Sequence, residues 1–262
     1  MKTTALGTIL MSILALSTLS AQIPLPITTE ERPAWVVDGV PDSVWMLVEA
    51  SIEADEEDRT EDLLKRAETH ARAAIEDHVD DVGPRFALAV VLGLRTEIEG
   101  GRTQVKTSSE LHRELEAILE FDPQHARARH MLGRLHAAVR RMGRITRWIA
   151  TNLLGGGELK KATWETAEGH LSFAEQQVPE VSAHHLQLAN LYADTDREEP
   201  ALQELEHVFP LSAASPMEWA VWDEALDVKE ELEQRIERGL ESERSCRRVG
   251  PRRTGRRRVG CE

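Results

Sequence analysis

Small and large residues recur along this chain with a period of about 34, and that spacing constrains the fold more than any compositional feature. With Pro179 at position 32 of a unit, Ala167, Leu171 and Ala174 stand at positions 20, 24 and 27. The next unit opens at Ser182 and puts Leu188, Ala189 and Tyr192 at 7, 8 and 11, with Ala201 and Leu205 at 20 and 24. Counting on from Pro123 puts Leu132, Gly133 and His136 at 7, 8 and 11 of the unit between. Upstream, Leu88, Ala89 and Leu92 are followed by Leu111, Leu115, Ile118 and Pro123, and Ala67, Ala71 and Ala74 close a first unit. Small residues at 8, 20 and 27 let the two helices of a unit approach closely, while the large ones interlock between units.

This is the pattern of the tetratricopeptide repeat, a helix–turn–helix unit. The chain is therefore expected to be all-α: a helical solenoid of about four helix pairs, with an elongated third repeat and a C-terminal capping helix. The expected layout is a signal peptide over 1–21, a Pro-rich linker over 22–42, the repeat domain over 43–240 and a basic disordered tail over 241–262. A first helix follows Pro41, with Val44, Leu47, Val48 and Ile52 on one stripe, and Thr60 opens the next. In the second repeat an excess falls on RTEIEGGRTQVK, broken at Gly100-Gly101. In the third, the apolar positions Ala138, Met142, Ile145 and Ile149 carry one helix past Gly143 until Gly155-Gly156-Gly157 stops it, and Thr163 caps its successor. In the capping helix, Trp219, Trp222, Ala225 and Leu226 pack on the last repeat.

Residues 1–21 combine Lys2, an apolar run from Ala5 to Leu19 and small residues at Ser20 and Ala21, the layout of a secretory signal. Cleavage near Ala21 and a periplasmic or secreted location are expected, with an uncleaved membrane anchor as the alternative. Charge matters because it narrows the partners. The net −14 hides a split: seven Arg and one Glu from Cys246 to Glu262 leave the preceding residues at −20. An acidic body excludes a general nucleic-acid binder, which needs a basic surface on its folded part. Cys246 and Cys261 both sit in the basic segment, without zinc-ligand spacing, and export favours their pairing.

The stretch over 131–211 carries LGR around Gly133, then the basic-apolar run RxxRWIAxxLLGG from Arg144 to Gly156, then T-W-E-x-A from Thr163 to Ala167. In that order, within an elongated third repeat, these resemble the regulator of microtubule dynamics protein family over roughly residues 60–235. The resemblance implies the fold and helical layout. Animal members are associated with microtubules and with mitochondrial or endoplasmic-reticulum membranes, while bacterial relatives have no assigned chemistry, so no activity is carried over. The secretory signal and acidic body depart from the animal pattern and suit an exported bacterial relative.

No GxSxG, P-loop, GxGxxG or HExxH is present, and LLGGGELKK lacks the GK[ST] ending of a phosphate cradle. That points away from an enzyme and from a cofactor or metal. His125, His130, His136, His184 and His185 could line a site, but His136 stands at a packing position. Positions 2, 5, 9 and 12 of the first helices line the concave surface of such solenoids. They give a partner groove of Phe86, Val90, Arg127, His130, Arg134 and Asn190, suited to a protein or peptide segment bearing carboxylates. A second candidate surface is the helix over 138–154, where Arg140, Arg144, Arg147 and Trp148 suit an anionic membrane surface or a partner. The plain alternative for both is a set of arginines paired with neighbouring acids.

Overall fold

The structure, a computed structural model, describes residues 40–211, 213 and 216–249, with side chains described up to Glu241 apart from those of Pro216 and Met217. The expected signal segment, nearly all of the linker, and Cys261 lie outside the described residues. Those described are all-α, with ten helices and no strand: α1 (Asp42–Ile52), α2 (Glu57–Asp77), α3 (Val82–Ile98), α4 (Gly101–Phe121), α5 (Ala126–Arg141), α6 (Arg144–Asn152), α7 (Trp164–Gln177), α8 (Ser182–Asp194), α9 (Glu198–Val208) and α10 (Pro216–Val249). A 3-10 turn over Glu158–Lys161 precedes α7.

Helices pack mainly on their chain neighbours: α1 on α2, α3 on α4, α5 on α7 and α8 on α9, with α2–α3, α4–α5 and α7–α8 joining the pairs. Local chemistry sets several starts. The Asp81 carboxylate accepts the Gly83 N–H at the head of α3, and the His125 ring accepts from Ala128 at the head of α5. Thr163 and Thr166 cap α7 reciprocally. The periodic positions supply the core. Ala67, Ala71, Leu88, Ala89, Leu92, Leu115, Ile118, Ala167, Leu171, Ala174, Ala189, Ala201 and Leu205 are all essentially inaccessible. Gly133 lets α5 lie against α7.

Four local expectations change. On α1 the buried stripe is Val44, Trp45, Val48 and Ser51, with Leu47 and Ile52 only half-buried. Thr60 does not open α2; it sits in the first turn, where its hydroxyl donates to the Glu56 carbonyl at 3.2 Å. The second repeat breaks at Gly100-Gly101 as expected, its extra residues lengthening the two helices on either side: α3 runs to Ile98 and α4 restarts at Gly101 with φ 60°. The third-repeat helix is not continuous: Met142 and Gly143 take extended backbone between α5 and α6. The break holds because Arg147 Nη1 donates to the carbonyls of Arg140 (3.1 Å) and Met142 (3.2 Å), which a broken helix leaves open. Finally, α10 continues past Leu240 to Val249 and carries Cys246 within it. It packs on α8 and α9 through Val221, Trp222, Ala225, Val228 and Leu232, leaving Trp219 and Leu226 exposed, and it also touches α1.

Ion pairs stitch the helices together. Arg72 bonds Glu68 within α2 and Glu110 on α4; Arg95 on α3 bonds Glu68 and Glu99; Arg85 reaches Glu114 at 2.9 Å; Arg197 forks onto Glu168 at 2.9 Å. Among the described residues no helix is long and apolar enough to cross a membrane.

Candidate functional site

Arg127, His130 and Arg134 project from one side of α5, at spacings of three and four. Their surroundings differ. Arg134 is half exposed and pairs with Glu97 of α3. The His130 ring lies 4.8 Å from that of His184, and its Nδ1 is buried without a hydrogen-bond partner. Burial, helped by His184 and Arg134, keeps His130 neutral with a pKa well below the usual histidine value. Arg127 is half-buried and makes no bond to a carboxylate among the described residues; burial lowers its pKa with nothing acting against it. Arg72 and Arg95 show the contrast. Burial pulls theirs down too, but their glutamate partners outweigh it and leave both raised.

The remaining groove candidates scatter. Phe86 is not a lining residue: it is buried, with its ring 5.1 Å from that of His125, while Val90 is half-buried beside the core. Asn190 is engaged within the chain, donating from Nδ2 to Glu224 of α10 at 2.8 Å. The structure thus brings together Arg127, His130 and the neighbouring His184, with Arg134 at their edge.

The basic stripe of the third repeat divides at the α5–α6 break. Arg140 stays on α5, half-buried, and Arg147 is spent on the carbonyls of the break. Arg144 and Trp148 remain exposed on α6, beside exposed Ile145 and Leu153.

The histidines form three groups rather than one. His130 meets His184. His185 stacks near His207 at 5.3 Å and donates to Glu204 and to the Pro179 carbonyl, both at 2.8 Å. Burial opposes its charge, but these two acceptors outweigh burial and raise its pKa. His136 joins His112 and His170, neither of which position counting singled out. His112 also approaches Glu116 and Glu158, with one ligand atom from each of the three within 4.8 Å of the others. Its sequence signal was legible, since His112 and Glu116 are four apart on one helix.

Residues 42–234, more than half of the chain, match the family described as regulator of microtubule dynamics protein 1-3. No curated protein matches the chain.

Proposed function

From the premise that this chain belongs to the regulator of microtubule dynamics protein family, we propose that it is an exported tetratricopeptide-repeat adaptor that grips a carboxylate-bearing protein or peptide segment in the cell envelope. The burial of the 34-residue positions supports the repeat reading. The observation that carries the binding reading is Arg127, a half-buried guanidinium with no acid on it among the described residues, whereas half-buried Arg72, Arg85 and Arg95 hold glutamates and half-buried Arg147 is spent on backbone carbonyls. An arginine fork in such a place suits an incoming carboxylate. The Asn190–Glu224 bond supports a helical ligand, because there α10 already lays an acidic helix on α8. The test is fluorescence anisotropy with Asp/Glu-containing helical peptides. Arg127→Ala with Arg134→Ala should weaken the tightest binder at least tenfold, about 1.4 kcal/mol, at unchanged melting temperature. Equal affinity at low salt, where charge contacts are strongest, removes the site from α5.

A second reading rests on α6. Ile145 is 78% and Trp148 57% exposed, with Arg144 beside them, a short amphipathic face suited to the surface of an anionic membrane. Flotation with phosphatidylglycerol vesicles checks it: Ile145→Glu with Trp148→Glu should abolish co-flotation, and the absence of any wild-type co-flotation rejects it.

A further inference from the structure

On α4, His112 and Glu116 lie one turn apart, and Glu158 comes to them from the 3-10 turn. A nitrogen of His112 and a carboxylate oxygen from each glutamate all lie within 4.8 Å of one another. His112 is wholly buried at 0% exposure, and its Nδ1 has no hydrogen-bond partner. That Nδ1 sits 3.3 Å from Glu116 Oε2, near enough for an ion pair but without hydrogen-bond geometry.

The other face of the ring is anchored. His136 Nδ1 meets the Thr166 hydroxyl at 2.9 Å, and its Nε2 shares one proton with His112 Nε2 at 3.3 Å. In the tautomer with that proton on His112 Nε2, His112 Nδ1 presents a lone pair to the Glu116 carboxylate. Two electron-rich groups so placed repel unless a cation stands between them. An imidazole whose far N–H is anchored, with its near nitrogen turned to carboxylates, is the outer-shell arrangement of a metal-ligating histidine.

We infer that His112, Glu116 and Glu158 form a binding site for one divalent transition-metal ion of the zinc class, and that the ion displaces Lys161 from the two carboxylates. One imidazole and two carboxylates leave a fourth tetrahedral position for water. Bonds of ~2.1 Å put tetrahedral ligand atoms ~3.4 Å apart, a spacing the His112–Glu116 pair already has. Glu158 closes the remainder by side-chain rotation, being 44% exposed. Its backbone is fixed: Leu159 is buried, and the Gly156 N–H donates to the Ala150 carbonyl at 3.0 Å. A Cβ at Gly156 would meet that carbonyl oxygen at 2.7 Å and Val105 Cγ1 at 3.0 Å. Lys161 Nζ now lies 3.0 Å from Glu116 and 3.2 Å from Glu158, the place of a cation, but its side chain is 55% exposed and free to swing into water. An exposed ammonium pair adds little, so the ion wins the carboxylates.

The test is Co2+ titration of the chelator-treated full chain, followed by its visible d–d bands, in a Cys246→Ser, Cys261→Ser background that removes the thiolates. One equivalent should bind and be displaced by Zn2+. Glu158→Gln and Glu116→Gln should each weaken binding at least tenfold, Lys161→Met should tighten it several-fold, and the exposed control Glu165→Gln should change nothing. No bands in either the background protein or Lys161→Met overturns the site, as does a Glu158→Gln affinity equal to that of the background. Unchanged affinity in Lys161→Met overturns the displacement.

Discussion

Gly133 and Leu171 meet with no room for a methyl group. A Cβ added at Gly133 would stand 2.7 Å from Leu171 Cγ and 2.9 Å from the Ala167 carbonyl oxygen, below any ordinary van der Waals separation. The oxygen is backbone, so relief requires α7 to move as a unit. Gly133→Ala should therefore cost roughly 1–3 kcal/mol through overpacking, despite alanine's better helix propensity. Gly169→Ala, on α7 with open space around it, should instead stabilise by about 0.5–1 kcal/mol. Thermal denaturation of the two variants should move in opposite directions.

Arg127→Met and Arg95→Met should also separate. Removing Arg127 frees no acid and relieves a half-buried charge, so the melting temperature should hold or rise. Removing Arg95 leaves Glu68 and Glu99, 16% and 11% exposed, short of a partner. That should cost about 1–3 kcal/mol. Chemical denaturation with an unchanged m-value would compare them cleanly.

Stability should fall in mild acid. His184 is buried and held at about 4; burial is the main cause, His185 and Arg127 add to it, and the Val178 carbonyl and Glu180 oppose it, with neutral His130 against its ring. Its unfolded value is near 6.5. Below that, the unfolded chain takes up a proton that the native state refuses. The stability is full above pH 6.5 and is lost as pH falls towards 4, at up to ~1.4 kcal/mol per unit. His185, raised by Glu204, runs the other way, stabilising in acid and fading as pH rises through its native value. Denaturation of wild type and His184→Gln between pH 7 and 4 should give a shallower slope for the variant.

Export is tested by intact mass. Protein recovered from a cell-envelope fraction should begin near Gln22, and a mass that includes residues 1–21 would rule out cleavage.

What could be read in advance follows from which forces are local. Ala67, Ala167 and Ala189 were legible because close helix approach demands small residues at fixed spacings. The break at Gly143 was not, because Ala138, Met142, Ile145 and Ile149 keep a helical period straight through it. It depends on Arg147 reaching back to two carbonyls, a contact no period encodes. Phe86 was misplaced for a related reason: position counting fixes the backbone site, but the ring turns onto His125. His112 and Glu116 are adjacent on a helix, whereas Glu158 joins them only through the turn pinned by Leu159 and Gly156.

The arginine–glutamate stitches have a consequence in salt. Arg72–Glu110, Arg134–Glu97 and Arg197–Glu168 each cross from one helix to another, and each is partly exposed. Such bonds loosen as salt screens them, whereas the apolar seams beside them do not. Salt therefore reaches only the rim of each helix seam: the ion pairs there weaken in brine, while the apolar contacts that carry the stack stay as they are.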